Sequence, residues 1–354
     1  EVMPMPRKRA AGSLIAVLAV SVVVLMVSAS VGTVGVPVAE TLKSVAGCLP
    51  ESIRTALGIG KADPAFDAII MKVRLPRIIL GFAVGAALGA AGACYQGLLS
   101  NPLADPYIIG VSSGAALGAS IGIVLTSSSM AALGGAIPLF AFGGALVSMI
   151  LVMALAQVKG KVQSESLLLS GVVVGSFIWA LVSFTMLAAG EDLPKVMMWL
   201  MGSLSARNWG HFAMSAPYIA VGIGAMMLMS RGLNVISMGE EQARFMGLGV
   251  EGFKKAVIVA CSLATSAAVG VSGIIGFVGL IVPHMARYLT GPDHRVLIPV
   301  SALAGGALLV AADTVARTII SPAELPVGTV TALVGAPFFF YLLRRSRREG
   351  KSGK

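Results

Sequence analysis

Charge is scarce in this sequence. Asp, Glu, Lys and Arg together make up 12% of the 354 residues, about half the share of an ordinary soluble domain. A composition this apolar excludes a disordered chain and speaks against a soluble globular enzyme. Aromatic residues are few as well, at 6%, so the apolar character comes from aliphatic and small side chains. Cys48, Cys94 and Cys261 have no C-x-x-C spacing and point to neither a disulfide framework nor a zinc site. His211, His284 and His294 lack the spacing of metal ligands, and neither an H-E-x-x-H nor a G-x-S-x-G motif occurs. Gly60-Lys61 and Gly160-Lys161 have Thr55 and Leu155 where a phosphate loop needs its first glycine. The chain therefore does not hold ATP by that route. No catalytic cluster, metal or cofactor is expected.

What is present is apolar length. Hydrophobic residues make up 56% of the chain and the mean hydropathy is +0.91. Uncharged runs cover residues 10–39, 78–104, 106–158, 166–190, 208–230, 256–283, 296–312 and 325–343. A membrane span needs about 20 apolar residues. The first run is too long for a cleaved leader and reads as a retained helix. The third is about two spans long and has a turn signal at Gly134-Gly135. The sixth runs on to Leu289 with only His284 and Arg287 inside it, and residues 269–273 mark a possible break. Nine or ten spans result. Arg7, Lys8 and Arg9 at one end and Arg344, Arg345, Arg347, Arg348, Lys351 and Lys354 at the other are both cytoplasmic signals. Two cytoplasmic ends require an even number, so the expectation is an all-α integral membrane protein of ten helices, one domain over 1–354. The net charge of +10 follows from this loop bias and calls for no nucleic-acid partner. Residues 40–77 fall outside and still carry Lys43, Arg54, Lys61, Lys72, Arg74 and Arg77, which the bias does not explain.

Gly81, Gly85 and Gly89, and again Gly114, Gly118 and Gly122, recur every fourth residue, the small-residue stripe that lets helices approach closely in lipid. The three-residue steps of Gly270, Gly273, Gly276 and Gly279 do not stay on one helix face and indicate an irregular segment. Arg74-Leu75-Pro76-Arg77 opens the second span, with Pro76 suited to a first helical turn or a kink. Its two guanidiniums either receive carboxylates or anchor the helix at the interface. Asp313 and Arg317 lie four apart and pair on one helix face. Asn101-Pro102-Leu103-Ala104-Asp105-Pro106 makes a stiff turn between spans two and three. In the long loop after span six, Ser237 and Glu240 have the spacing of a capping box, and Gly247 ends the short helix. That helix either docks on a cytosolic partner or lies on lipid headgroups. Membrane charges are too few for a proton relay, which speaks against the alternative class, an ATP-independent secondary transporter of an amphipathic solute.

RLPR at 74–77, NPLADPYIIGVSSGA at 101–115, MWLMGSL at 198–204, LNVISMGEEQARFMGLGV at 233–250, GIIGFVGLIVPHMAR at 273–287, ADTVAR at 312–317 and ELPVGTVTALVGAPFF at 324–339 follow one another in the order of a known family. The chain resembles the permease subunits of bacterial type II ABC importers for iron-siderophores, haem and vitamin B12. The resemblance implies a multi-pass protein of the cytoplasmic (inner) membrane, working as a pair of permease copies. It implies two ATPase subunits, an extracytoplasmic substrate-binding protein and a metal-chelate or cobalamin substrate. It maps binding-protein docking onto Arg74, Arg77 and Arg317. The ATPase-coupling segment, about 234–250, includes Ser237, Gly239, Glu240, Ala243, Arg244 and Gly247. The cytoplasmic gate falls on Asn101, Leu103, Ser164 and Glu165, where Glu165 departs from the small hydroxyl residues of vitamin B12 permeases.

Overall fold

The computed structural model describes residues 7–128, 135–158 and 160–352. The turn expected at Gly134-Gly135 falls largely outside them. The described chain is predominantly helical. It opens with α1 (Arg7–Ser30), α2 (Val38–Ala46), α3 (Glu51–Ala56) and α4 (Pro64–Ala68). A π-helical turn over Ile69–Arg74 then leads into α5 (Leu75–Leu98). A 3-10 turn, Pro106–Ile109, precedes α6 (Val111–Ser128) and α7 (Ile137–Ala156). The two-residue strands β1 (Gln157–Val158) and β2 (Lys161–Val162) pair antiparallel ahead of α8 (Ser164–Ala188). The chain continues through α9 (Leu193–Leu200), α10 (Trp209–Leu228), α11 (Ser230–Ile236), α12 (Glu240–Phe245) and α13 (Val250–Ser272). It closes with α14 (Val278–Thr290), α15 (His294–Ala316) and α16 (Val327–Ser352).

The uncharged runs become helices because backbone polar groups in an apolar surrounding must bond within their own segment. Seven of the described helices are long and apolar enough to cross a membrane; Val111–Thr126 and Val327–Tyr341 are shorter apolar helices. The first helix stops at Ser30 rather than running to residue 39, because Gly32, Gly35 and Pro37 interrupt it. The 35-residue helical path Pro64–Leu98 starts well before Pro76. Pro76 has no N–H and cannot continue the ordinary ladder, and the chain widens into the π turn just ahead of it.

α5 is the centre of the molecule, packed by α10, α13, α14 and α15, while α6, α7 and α8 form an adjoining group and α1 lies on α15. The glycine stripes make these approaches possible. A Cβ at Gly85 would stand 2.2 Å from the Gly305 carbonyl oxygen of α15, and one at Gly89 2.2 Å from that of Ser301. Gly114 and Gly118 bring α6 equally close to Gly144 and Phe140 of α7. The irregular segment expected near 269–273 lies slightly later: α13 runs on to Ser272, and the break spans residues 273–277 with left-handed Gly273 and Phe277.

Gly85→Ala is expected to destabilise the protein by about 1–3 kcal/mol, because a packed core resists added volume. Gly143→Ala, whose Cβ meets nothing within 4 Å, is expected to be neutral. Thermal unfolding in detergent compares the two; equal midpoints contradict the stripe's packing role.

Candidate functional site

Functional candidates gather at two ends of the bundle. Asn234 of α11 donates to Asp293 at the start of α15, whereas Arg77 meets Asp313 near its finish. At 1.5 Å per residue these contacts lie about 30 Å apart.

At the arginine end, the loss of α1 after Ser30 leaves carbonyls without helical donors. Arg74 Nη1 donates to the Ala29 and Ser30 oxygens at 2.7 and 2.9 Å, and Nη2 to Val34. Gly32 leaves room for that guanidinium, since a Cβ there would stand 2.7 Å from Nη2. Arg317 Nη2 donates to the Ser28 hydroxyl at 2.7 Å and to its carbonyl. Two arginines from other helices thus cap α1. Arg77 turns the other way. Its Nε and Nη2 fork Asp313 at 2.9 and 2.8 Å, and its Nη1 donates to Glu324 at 3.0 Å. Asp313 therefore pairs chiefly with Arg77 and not with its helical neighbour; Arg317 Nε approaches it only to 3.9 Å. The guanidinium fork of Arg77 aligns with the carboxylate plane from across the α5–α15 contact. The structure brings Arg74, Arg77 and Arg317 together, at 4%, 8% and 4% exposure, around a cavity of about 230 Å³ that Glu324 also lines. Arg317 Nε is buried there with no hydrogen-bond partner.

The turn after α5 is stiffened by its own side chains. Asn101 Oδ1 accepts from the Leu103 amide at 2.9 Å, and Asp105 Oδ1 from the Tyr107 amide at 2.8 Å. Burial pushes the Asp105 carboxyl up to about 6, against the lowering effect of the Tyr107 amide. Leu103 is exposed. Tyr107 reaches the break between α13 and α14, where its hydroxyl donates to the Ile275 carbonyl at 3.0 Å and accepts from the Ile275 amide at 3.2 Å. Ser164 and Glu165 open α8. Among the described residues no hydrogen bond joins them to Asn101 or Leu103; α8 meets this region instead at Gly171, close against the Ile108 carbonyl.

At the opposite end, α12 is mounted rigidly and exposes apolar side chains. Its N-cap is Gly239, at φ +118°, and not Ser237. Ser237 instead closes α11 and donates to the Asn234 carbonyl at 2.8 Å, so the capping box does not form. Gly247 ends α12 as expected. Its amide bonds Arg244 and the Leu248 amide bonds Ala243, the paired bonds of a Schellman terminus. Ala243 is fully buried, whereas Phe245 is 91% exposed beside exposed Met238 and Met246. Glu240 accepts from Lys254, and Arg244 lies 3.7 Å from Glu240 and 3.4 Å from Glu251. Lys254 also donates to the Val162 carbonyl at 2.9 Å, and Glu251 accepts from the Val162 amide at 2.8 Å. The strand leading into α8 is thereby tied to the base of α12. Lys254 and Glu251 carry no motif signal, and Glu324 opens the segment 324–339 without a role that its sequence indicates. Only partners remote in sequence reveal them.

A model described as the FecCD transport family matches residues 18–345. The chain is 46% identical over 278 residues to the cobalamin import system permease protein of Halobacterium salinarum, covering 78% of this chain and 74% of that one. It is 38% identical over 301 residues to the Fe(3+) dicitrate transport system permease protein of Escherichia coli strain K12, covering 85% and 93%. A solved structure assigned as a metal-chelate type ABC transporter, in an inward-facing conformation, superposes with a TM-score of 0.77 at 30% identity, covering 94% of this chain and 98% of that one.

Removing one partner of a buried ion pair leaves the other charge uncompensated, a loss of about 3–5 kcal/mol. Arg77→Met is expected to cost that much. Adding Asp313→Asn to Arg77→Met should cost less than the two single changes summed, by about 1 kcal/mol or more. Unfolding of the four proteins in detergent measures the coupling; strict additivity contradicts the pairing.

Proposed function

The chain belongs to the FecCD transport family, and from that membership we propose that it is the permease subunit of an ABC importer carrying a metal chelate or cobalamin inward. It is a multi-pass membrane protein, and its relatives are transport permeases rather than enzymes. The seven long helices, the two shorter apolar ones and α14 together make the ten spans of the proposed topology. In this reading both termini face the cytoplasm of a bacterial cell, and the α12 end is the cytoplasmic end of a single permease domain.

Two copies of the chain work with two ATPase subunits and an extracytoplasmic binding protein. The observation that carries the reading is α12: a helix locked to the bundle by Lys254 and Ala243 that nonetheless presents Phe245 and Met246 to solvent. A rigid mount with an apolar tip suits force transmission from a partner better than attachment to lipid. Ser237, Gly239, Glu240, Ala243, Arg244 and Gly247 build that mount, and ATP-driven movement of it shifts the permease pair between states. The ties from Glu251 and Lys254 to Val162 carry such movement to Ser164 and Glu165, which with Asn101 and Leu103 form the proposed gate.

At the arginine end, the cavity among Arg74, Arg77 and Arg317 receives an acidic side chain of the binding protein. Arg317 Nε, which makes no hydrogen bond there, supports that role. The charge-poor interior holds cargo weakly, so the choice among ferric siderophore, ferric citrate, haem and cobalamin rests with the binding protein.

Phe245→Ala tests the reading. Because the side chain is exposed, the permease should insert and unfold as the wild type does. Its co-purification with the cognate ATPase should fall at least about tenfold, the loss expected for a central aromatic anchor. Unchanged ATPase association and uptake contradict docking through α12.

A further inference from the structure

The arginine end holds a second, larger cavity, of about 680 Å³, set among the ends of α6, α7, α9, α10 and α13. Trp209 Nε1 donates to the Met71 carbonyl of the π turn, which fixes this region beside the arginine cluster. The volume falls in the range of small-molecule sites. Ile123, Ile137, Pro138 and Met198 supply an apolar wall, and Lys195, Arg207, His211 and Trp199 the polar part.

Arg207 is the unusual group. It forms no ion pair with any described residue. Its guanidinium lies 3.3 Å from His211 Nε2, and His211 Nδ1 lies 2.9 Å from Asn208 Oδ1. Arginine is only a donor, so His211 Nε2 accepts and the ring proton sits on Nδ1, donated to Asn208. The imidazole is then neutral and adds no charge. Lys195 is exposed and paired with Asp192 at 2.7 Å. The cavity thus keeps one uncompensated cation, Arg207.

Two buried donors in the lining have no partner: Arg207 Nε and Trp199 Nε1. The Trp199 side chain belongs to a residue only 9% exposed. A buried donor left unmade costs about 1–3 kcal/mol. Both groups only donate, so what satisfies them must present acceptors, and the unpaired charge of Arg207 favours an anionic one. The loop that carries Arg207 is held on both sides of it. Ala206 takes φ +55°, a strained conformation for a residue with a Cβ, while the Ser203 amide is tied to the Ser272 carbonyl at 2.7 Å and Asn208 caps α10.

We propose that this cavity is an oxyanion site for an amphipathic small molecule, with Arg207 as its charged anchor, Trp199 Nε1–H as its second donor and the aliphatic wall against the ligand's apolar part. The oxyanion is a carboxylate or a phosphate. It comes either from a soluble carboxylate ligand at the mouth of the transporter or from the headgroup of an anionic lipid in the adjoining leaflet.

The test uses the intact permease in nanodiscs and does not involve ATP or transport, so its outcome is separate from that of the importer reading. Phenylacetate, a carboxylate with an apolar part, is the soluble probe, titrated calorimetrically in phosphatidylcholine discs. Phosphatidylglycerol is the lipid probe, scored by retention in native mass spectrometry against phosphatidylcholine. Saturable phenylacetate binding that weakens with added salt and falls at least tenfold in Arg207→Gln assigns the soluble source. Selective phosphatidylglycerol retention, lost in Arg207→Gln, assigns the lipid. In either case Arg207→Lys should be intermediate, because it keeps the charge and loses the fork. Trp199→Phe keeps the ring, removes the N–H and should weaken binding about threefold or more, which guards against misfolding of the arginine variants. No binding of either probe to the wild type, or binding equal in wild type, Arg207→Gln and Trp199→Phe, overturns the proposal.

Discussion

A backbone amide or carbonyl removed from water must find a partner, and the architecture of this protein follows from that constraint wherever a helix ends inside the bundle. Along the long helices the partners are automatic. At the interruptions they are not, and side chains supply them. The carbonyls of Ser28, Ala29 and Ser30 take Arg317 and Arg74. The break between α13 and α14 takes Tyr107, which serves both polar groups of Ile275 with one hydroxyl. The starts of α10 and α15 take Asn208 and Asp293. The carboxylate of Asp293 is also held down to about 2, first by its hydrogen bond with Arg295.

This explains where the few charges lie. Apart from surface pairs, they sit where the helical ladder is interrupted or where two helices meet near their ends. Arg77, Asp313 and Glu324 balance one another across α5, α15 and the segment before α16. Lys254 and Glu251 bind the Val162 backbone just ahead of α8. Between the helix ends the interior is built mostly of small and aliphatic side chains with buried hydroxyls such as Ser120, Ser262 and Thr265 among them, and with backbone against backbone at Gly85, Gly89, Gly114 and Gly118.

Much of this was legible in the sequence, for a physical reason. Uncharged runs report helices because lipid penalises charge through the depth of a span, most at its middle, and i, i+4 glycines report close approach because helical geometry repeats. The irregular segment was visible in the three-residue glycine steps, to within a few residues. Interactions between remote positions left no such trace. Asp313 and Arg317 looked like a pair at four residues' separation, yet Arg77 takes the carboxylate from 236 residues away. Ser237 had the spacing of a cap, but left-handed Gly239 makes the turn into α12 and frees the serine to close α11. Arg74, Arg77 and Arg317 were grouped only by the family resemblance. That two of them hold the end of α1 depended on where α1 stops, which the uncharged run overstated by nine residues.

The break between α13 and α14 is the place where the constraint is most exposed, because one phenol satisfies both an amide and a carbonyl. Tyr107→Phe removes that partner without changing the ring. Hydrogen–deuterium exchange at residues 273–279 measures the consequence directly. Loss of the two bonds should free about 1–3 kcal/mol of local opening, so exchange there should quicken roughly tenfold or more while α5 and the body of α13 stay protected. Unchanged protection at the break in Tyr107→Phe would contradict the dependence of this interruption on a side-chain partner.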